Sequence, residues 1–298
     1  MKKMLLAVCF FALGLAACGG GGGDSGSSSA QPAAKLLKIS MYGKPIVSAS
    51  STAVAHAQFS LISAAVAADA PNAASDAQTT AKSLTDALAA RGVPASITTQ
   101  VIDGTALHQI VTTEYNGKSP TPDQFKTDPS EMIVVNFQLD DMVTPSTDPA
   151  QEAAMKQFAA DLLVFAQWAA VAGKYVLVVA PIQTCDTQYS AASGLQWALY
   201  EAFGNGAPLH FAGAVPDGFG FDTNGKPIPD VGTDLSHYGA DCRSPDAYLQ
   251  NALLDSVAKD IAAIYKESNG ASAASDATPV STPPTVSATS RAQQRQLS

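Results

Sequence analysis

Asp234 and His237 stand three residues apart in a loop that leads into the last helical segment of the chain. An aspartate and a histidine at that spacing also arise by chance, so the weight of the pair comes from its place just ahead of that helix. Metal-assisted hydrolysis has little support. The four histidines, His56, His108, His210 and His237, show no ligand spacing, and His56 and His108 read as ordinary helix residues. No metal and no cofactor are expected. The remaining chemistry lies with the cysteines Cys9, Cys18, Cys185 and Cys242.

Lys2 and Lys3 open the chain, Met4 to Leu15 is almost wholly apolar, and Leu15-Ala16-Ala17-Cys18 closes the segment. That order predicts a secretion signal over residues 1–17. The apolar run is too short to cross a hydrocarbon core of ~30 Å as a helix. The terminal Leu-Ala-Ala-Cys resembles the lipobox of bacterial lipoproteins. The resemblance implies that Cys18 becomes the lipidated first residue. A soluble secreted protein with a coincidental cysteine is the alternative. Gly19, where inner-membrane retention would call for an aspartate, implies the outer membrane by the same analogy. Gly19 to Gly23 and the serine-rich stretch to Ala30 predict a flexible tether over residues 18–34. The expected address is the cell envelope, lipid-anchored at the outer membrane, with the domain in the periplasm or at the cell surface. Cys9 leaves with the signal, so Cys185 and Cys242 remain. In an oxidising compartment they read as a disulfide or as two separate buried thiols.

Loss of Lys2 and Lys3 takes the formal charge from −9 to −11. Such a surface is a poor partner for nucleic acid, where affinity comes from neutralising phosphates. It offers no basic patch for anionic headgroups either, so membrane attachment rests on lipid at Cys18. Residues 268–298 are Ala, Ser, Thr and Pro with few large apolar side chains, and read as a disordered tail. Residues 35–267 suffice for one domain with a substantial core.

Within that domain Leu36 to Tyr42 reads as a strand ending at Gly43. Thr52 to Ala68 and Asp76 to Arg91 read as helices, the second stopped by Gly92. Ile97 to Ile102 is β-branched, and His108 to Val111 suggests a short helix. Met132 to Phe137 and Tyr175 to Ala180 are continuous apolar runs, as in strands buried on both faces. Asp148-Pro149 starts a long helix in which Met155, Phe158, Leu162, Phe165 and Ala169 recur every three or four residues. A short strand over Leu209 to Val215 and a helix over Asp246 to Tyr265 complete the pattern. Strands alternating with helices predict an α/β fold, a three-layer α/β/α sandwich around a mainly parallel sheet. Ligands gather at the carboxyl ends of such strands, here the turns after Tyr42, Ile102, Phe137, Ala180 and Val215.

In that order of strands, glycine turns and terminal Asp-x-x-His, residues 36–266 resemble the SGNH (GDSL-type) hydrolases, whose layout is flavodoxin-like. The resemblance implies that Asp234 orients His237 and that His237 is the general base for a serine. It implies that Gly104 lends its N–H to an oxyanion hole, and that Cys185 pairs with Cys242. Two blocks depart. Where the family has Gly-Asp-Ser this chain reads Gly43-Lys44-Pro45, and proline has neither hydroxyl nor N–H. Where the family has Gly-x-Asn-Asp it reads Gln138-Leu139-Asp140-Asp141, and an ionised Asp140 only accepts hydrogen bonds. Ser48, Ser50 and Ser51 are the nearby hydroxyls that could substitute, Ser48 first, although serine there is also a favoured helix N-cap. Lys44 is expected to pair with Asp140 or Asp141 across neighbouring turns, giving a charged pocket. The alternative leaves Lys44 in solvent and the carboxylates capping local backbone. The functional expectation is an impaired hydrolase-like domain that binds a carbohydrate or an acyl- or acetyl-bearing envelope ligand. The alternatives are an ester hydrolase with a displaced serine, or a structural envelope protein.

Overall fold

The computed structural model describes residues 34–48, 70–112, 122–215 and 217–275. The expected signal segment, Cys9 and Cys18, the expected tether up to residue 33, the helix expected at Thr52 to Ala68 and most of the expected tail lie outside them. Five strands, β1 (Leu37–Gly43), β2 (Ala95–Val101), β3 (Met132–Asn136), β4 (Tyr175–Val179) and β5 (His210–Ala212), form one sheet in the order β2-β1-β3-β4-β5. Every pairing in it is parallel. The helices are α1 (Ala70–Ala89), α2 (Leu107–Val111), α3 (Pro122–Thr127), α4 (Pro149–Val171), α5 (Ala191–Gly204) and α6 (Ala247–Ser275).

Alternation along the central strands fills both layers, as a side-chain period of two requires. Ile133 and Val135 face one core with Phe158, Leu162 and Phe165 of α4 and Leu195 and Leu199 of α5. Met132 and Val134 face the other, against Leu84 and Leu88 of α1 and Val257 and Ile261 of α6. The apolar runs read as doubly buried strands are therefore β3 and β4, and the α/β/α sandwich is observed. Edge strand β2 exposes Ser96, Thr98 and Gln100 to a lesser or greater degree, whereas β3 is buried along its whole length.

Local signals set the helix starts. Asp148 caps α4 by accepting the Ala150 N–H at 2.8 Å, with Pro149 as first residue. Ser190 caps α5 by accepting the Ser193 N–H. Helix α5 and the short α3 are not evident from periodicity alone. In α5 a glycine, Gly194, interrupts the first turn, and the packing explains it. A Cβ there would strike Met155 Sδ and Ser146 Cβ, so the glycine lets α5 close onto α4. Helix α3 is six residues long and holds Phe125 edge-on to Phe165, with centroids 5.3 Å apart. Helix α6 continues to Ser275, beyond the expected end at Tyr265 and into the stretch read as tail. Between β5 and α6 lie a small antiparallel hairpin, β6 (Phe219–Phe221) with β7 (Pro227–Pro229), and a 3-10 turn at Leu235–Tyr238. Among the described residues no helix is long and apolar enough to cross a membrane.

Candidate functional site

From β1 the chain crosses to β2 on one side, and β3 then returns on the other. The sheet order therefore opens a crevice outside the carboxyl ends of β1 and β3. Gly43 ends β1 at φ +93°, in the left-handed region that glycine alone enters without strain. The backbone then doubles against β3. Lys44 N–H donates to the Asn136 carbonyl at 2.9 Å, and Asn136 Nδ2 donates back to the Lys44 carbonyl at 2.8 Å. The β2 turn joins through Gln138 N–H, which donates to the Gly104 carbonyl at 2.8 Å. Gly104 is needed for closeness. A Cβ there would lie 3.1 Å from Lys44 Cβ and 3.0 Å from Gln138 Cγ.

Lys44 is solvent-exposed, but protein surrounds its ammonium closely enough that desolvation lowers its pKa from the usual lysine value. The expected ion pair with Asp140 or Asp141 is not formed. Asp141 is occupied by its own turn, accepting from Val143 N–H at 2.7 Å, Thr144 N–H at 3.0 Å and Thr144 Oγ1 at 2.5 Å. The Thr144 bonds, with that from Val143, hold its carboxyl below the ordinary value. Asp140 is exposed. Capping local backbone has won over pairing with lysine, because a turn amide is at hand without ordering a long side chain.

His237 lies in the 3-10 turn between β7 and α6. Its Nδ1 sits 2.8 Å from Asp246 Oδ2, and its ring stacks on Tyr248 with centroids 4.2 Å apart. The expected orienting carboxylate, Asp234, is 3.9 Å from Nε2 and instead caps the turn by accepting the Ser236 N–H at 2.9 Å. Asp246, not Asp234, therefore holds the imidazole. Asp246 also begins α6, accepting the N–H groups of Tyr248 at 2.8 Å and Leu249 at 3.2 Å. In the sequence it is legible only as a helix start. The bond to Asp246 raises the His237 pKa. Desolvation opposes it, and the charges of Asp246, Asp234 and Asp217 add to it. Replacing Asp246 with asparagine keeps the cap but removes the charge. The His237 titration followed by NMR is expected to move to lower pH, and an unmoved titration would contradict Asp246 as the main cause. The folded-state pKa is raised, so the stabilisation it contributes is complete below about pH 6.5, the unfolded value. It is lost as pH rises through the folded pKa, and that pH-dependent component should shrink in Asp246→Asn.

A disulfide joins Cys185, after β4, to Cys242, before α6, with Cα atoms 5.1 Å apart. Beside it Cys185 N–H donates to the Cys242 carbonyl at 3.1 Å, and Arg243 Nε meets Asp186 Oδ2 at 2.6 Å. Tyr238 is fully buried against Cys185 and Leu249, and its hydroxyl donates to Asp217 at 3.2 Å. This cluster ties the His237 loop to the sheet edge.

The structure places the other residues singled out by the sequence as follows. Ser48 donates its backbone N–H to Gln250 Oε1 at 3.1 Å, and Ser50 and Ser51 lie outside the described residues. His108 bridges α2 to α4 through Asp161 at 2.9 Å, and His210 stacks on Tyr175. His56 lies outside the described residues.

No family model matches the sequence, and no curated protein matches it. Among solved structures the chain is similar to a protein described as a candidate SGNH hydrolase from Slackia heliotrinireducens. Identity is 12%, TM-score 0.43, and the match covers 76% of this chain and 100% of that one. It is also similar to a candidate arylesterase from Agrobacterium tumefaciens str. C58, at 12% identity and TM-score 0.38, over 78% and 99% of the two chains.

Proposed function

We propose that this chain is a lipid-anchored envelope protein whose domain binds a ligand at the β1–β3 crevice and does not hydrolyse esters by a serine route. The observation that carries this reading is the missing hydroxyl after β1, where Lys44-Pro45 stands. His237 keeps a carboxylate partner in Asp246 at Nδ1, with Asp234 near Nε2, and that bond raises its pKa. Losing the nucleophile of a serine–histidine system costs roughly 10⁶ in turnover, and losing one oxyanion donor roughly 10² to 10³. The ligand class is an envelope carbohydrate or an acyl-bearing molecule, met at the carboxyl edge of β1 and β3 by the exposed Lys44. The N-terminal Leu-Ala-Ala-Cys18 supports the lipid anchor and the outer-membrane address.

One experiment on the full-length chain in a Gram-negative host tests both parts. Membrane recovery is expected to depend on Cys18 and to be lost in Cys18→Ala. The recovered protein is expected to show no His237-dependent turnover of p-nitrophenyl acetate and no fluorophosphonate labelling. Turnover abolished by His237→Ala, with label on Ser48, Ser50 or Ser51, would establish the ester hydrolase instead.

A further inference from the structure

Beside edge strand β2 lies a cavity of about 280 Å³ that the crevice reading does not use. Tyr42 of β1 and Val101 of β2 form its buried floor, and Gln100, Gln124, Thr127, Asp128 and Pro129 surround them. The ring of Tyr42 packs on Phe165 and Phe125, with centroids 5.5 and 6.2 Å away. A phenylalanine would pack there equally well, so the hydroxyl needs its own explanation. Tyr42 is only 4% exposed, yet no group among the described residues hydrogen-bonds that hydroxyl. It is not sealed in either. Among the described residues the solvent-inaccessible side-chain oxygen without a partner is Ser130 Oγ, so the Tyr42 hydroxyl opens on the cavity it lines. Buried polar groups are otherwise satisfied as a rule.

Acceptors stand ready beside this donor. Asp128 is fixed through both oxygens, Oδ2 by the buried Ser40 hydroxyl at 2.8 Å and Oδ1 by the Ser130 N–H at 2.8 Å. Each oxygen keeps a further lone pair. Gln100 turns its amide nitrogen toward Ser40 and Thr98, at 3.5 and 3.4 Å, which leaves its carbonyl oxygen for a ligand. Burial, and then the charge of Asp128, raise the Tyr42 pKa, so the phenol stays protonated and can donate.

We propose that this cavity is a second ligand site, which takes a neutral polyol the size of one sugar ring through adjacent hydroxyls. It goes beyond the crevice reading and does not depend on it. A hydroxyl both donates and accepts, so one ligand hydroxyl can accept from Tyr42 while its neighbour donates to Asp128. Charge selects against ionic ligands. An anion would meet the Asp128 carboxylate, and a cation would meet the Lys174 ammonium, which donates to the backbone carbonyl of Asp128. The volume lies just below the roughly 300–1,000 Å³ of small-molecule pockets, which suits a single ring.

The test titrates the folded protein with D-glucose, D-galactose, D-mannose and N-acetyl-D-glucosamine, following the side-chain amide signals of Gln100 and Gln124 by NMR. At least one sugar is expected to shift both signals saturably. Tyr42→Phe should weaken that sugar about three- to tenfold, the worth of one hydrogen bond, while Tm holds or rises because no internal bond is lost. Asp128→Asn should weaken it about tenfold or more. No saturable shift with any of these sugars would overturn the proposal. So would undiminished affinity in Tyr42→Phe, which needs no change to the Ser40–Asp128 network, or a fall in its Tm, which would reveal an internal partner. Shifts centred on Lys44 and lost in Lys44→Ala would seat the sugar in the β1–β3 crevice, upholding that reading and defeating this one.

Discussion

Replacing Gly43 with alanine is expected to destabilise the domain by about 2–5 kcal/mol, combining a left-handed backbone with overpacking. Two independent costs meet at this position. The φ of +93° is one that a Cβ disfavours. The added methyl would also collide with the Asn136 carbonyl, which is backbone and cannot rotate away. The same carbonyl accepts the Lys44 N–H, so relief of the clash must break the clamp between the β1 and β3 turns. Gly92 and Gly173 separate the two costs, since they lie at φ +77° and +73° with nothing within 4 Å of where a methyl would stand. Alanine there should cost only the backbone component, about 1–2 kcal/mol. Urea unfolding of the three variants checks the ordering. A Gly43→Ala loss no larger than that of Gly92→Ala would show that the turn is not held against β3.

Removal of the disulfide, as Cys185→Ser with Cys242→Ser, is expected to cost about 4 kcal/mol on the loop-closure relation for a separation of 57 residues. That is a large share of the roughly 5–15 kcal/mol typical of a domain. The effect should concentrate on the segment it encloses. Cys242 has φ +58°, unusual for a residue with a side chain. The Cys185–Cys242 backbone bond and the Asp186–Arg243 pair fix the same crossing. Without the covalent link, the loop with Tyr238 and His237 should open before the sheet does. Hydrogen exchange would show this as lost protection at Ser244, whose N–H donates to the Tyr238 carbonyl, while β3 stays protected. A stability change below about 1 kcal/mol would show that the non-covalent contacts hold the loop unaided.

The parallel sandwich was legible because its evidence is local. Met132 to Asn136 and Tyr175 to Val179 are apolar almost without interruption, which burial on both faces favours. Asp148-Pro149 and the three-to-four spacing from Met155 to Ala169 mark α4 as plainly. Helices α3 and α5 were less legible. One is too short to show a period, and the other carries a glycine whose purpose is contact with a different helix.

The candidate site divides along the same line. By itself the sequence determined the absence of a hydroxyl after β1, the presence of Lys44 there, the Asp-x-x-His tetrad and the two cysteines available for pairing. Only the tertiary structure decided who meets whom. It gave His237 to Asp246, left Asp234 to cap a turn, kept Asp141 for Thr144 and joined Cys185 to Cys242. The physical reason is that residue types and short spacings are properties of the chain, whereas the partner of a charge is whichever group can satisfy it at least entropic cost once the backbone has been brought together. For Asp234 and Asp141 a turn amide was already adjacent, and for His237 the start of α6 brought the better carboxylate.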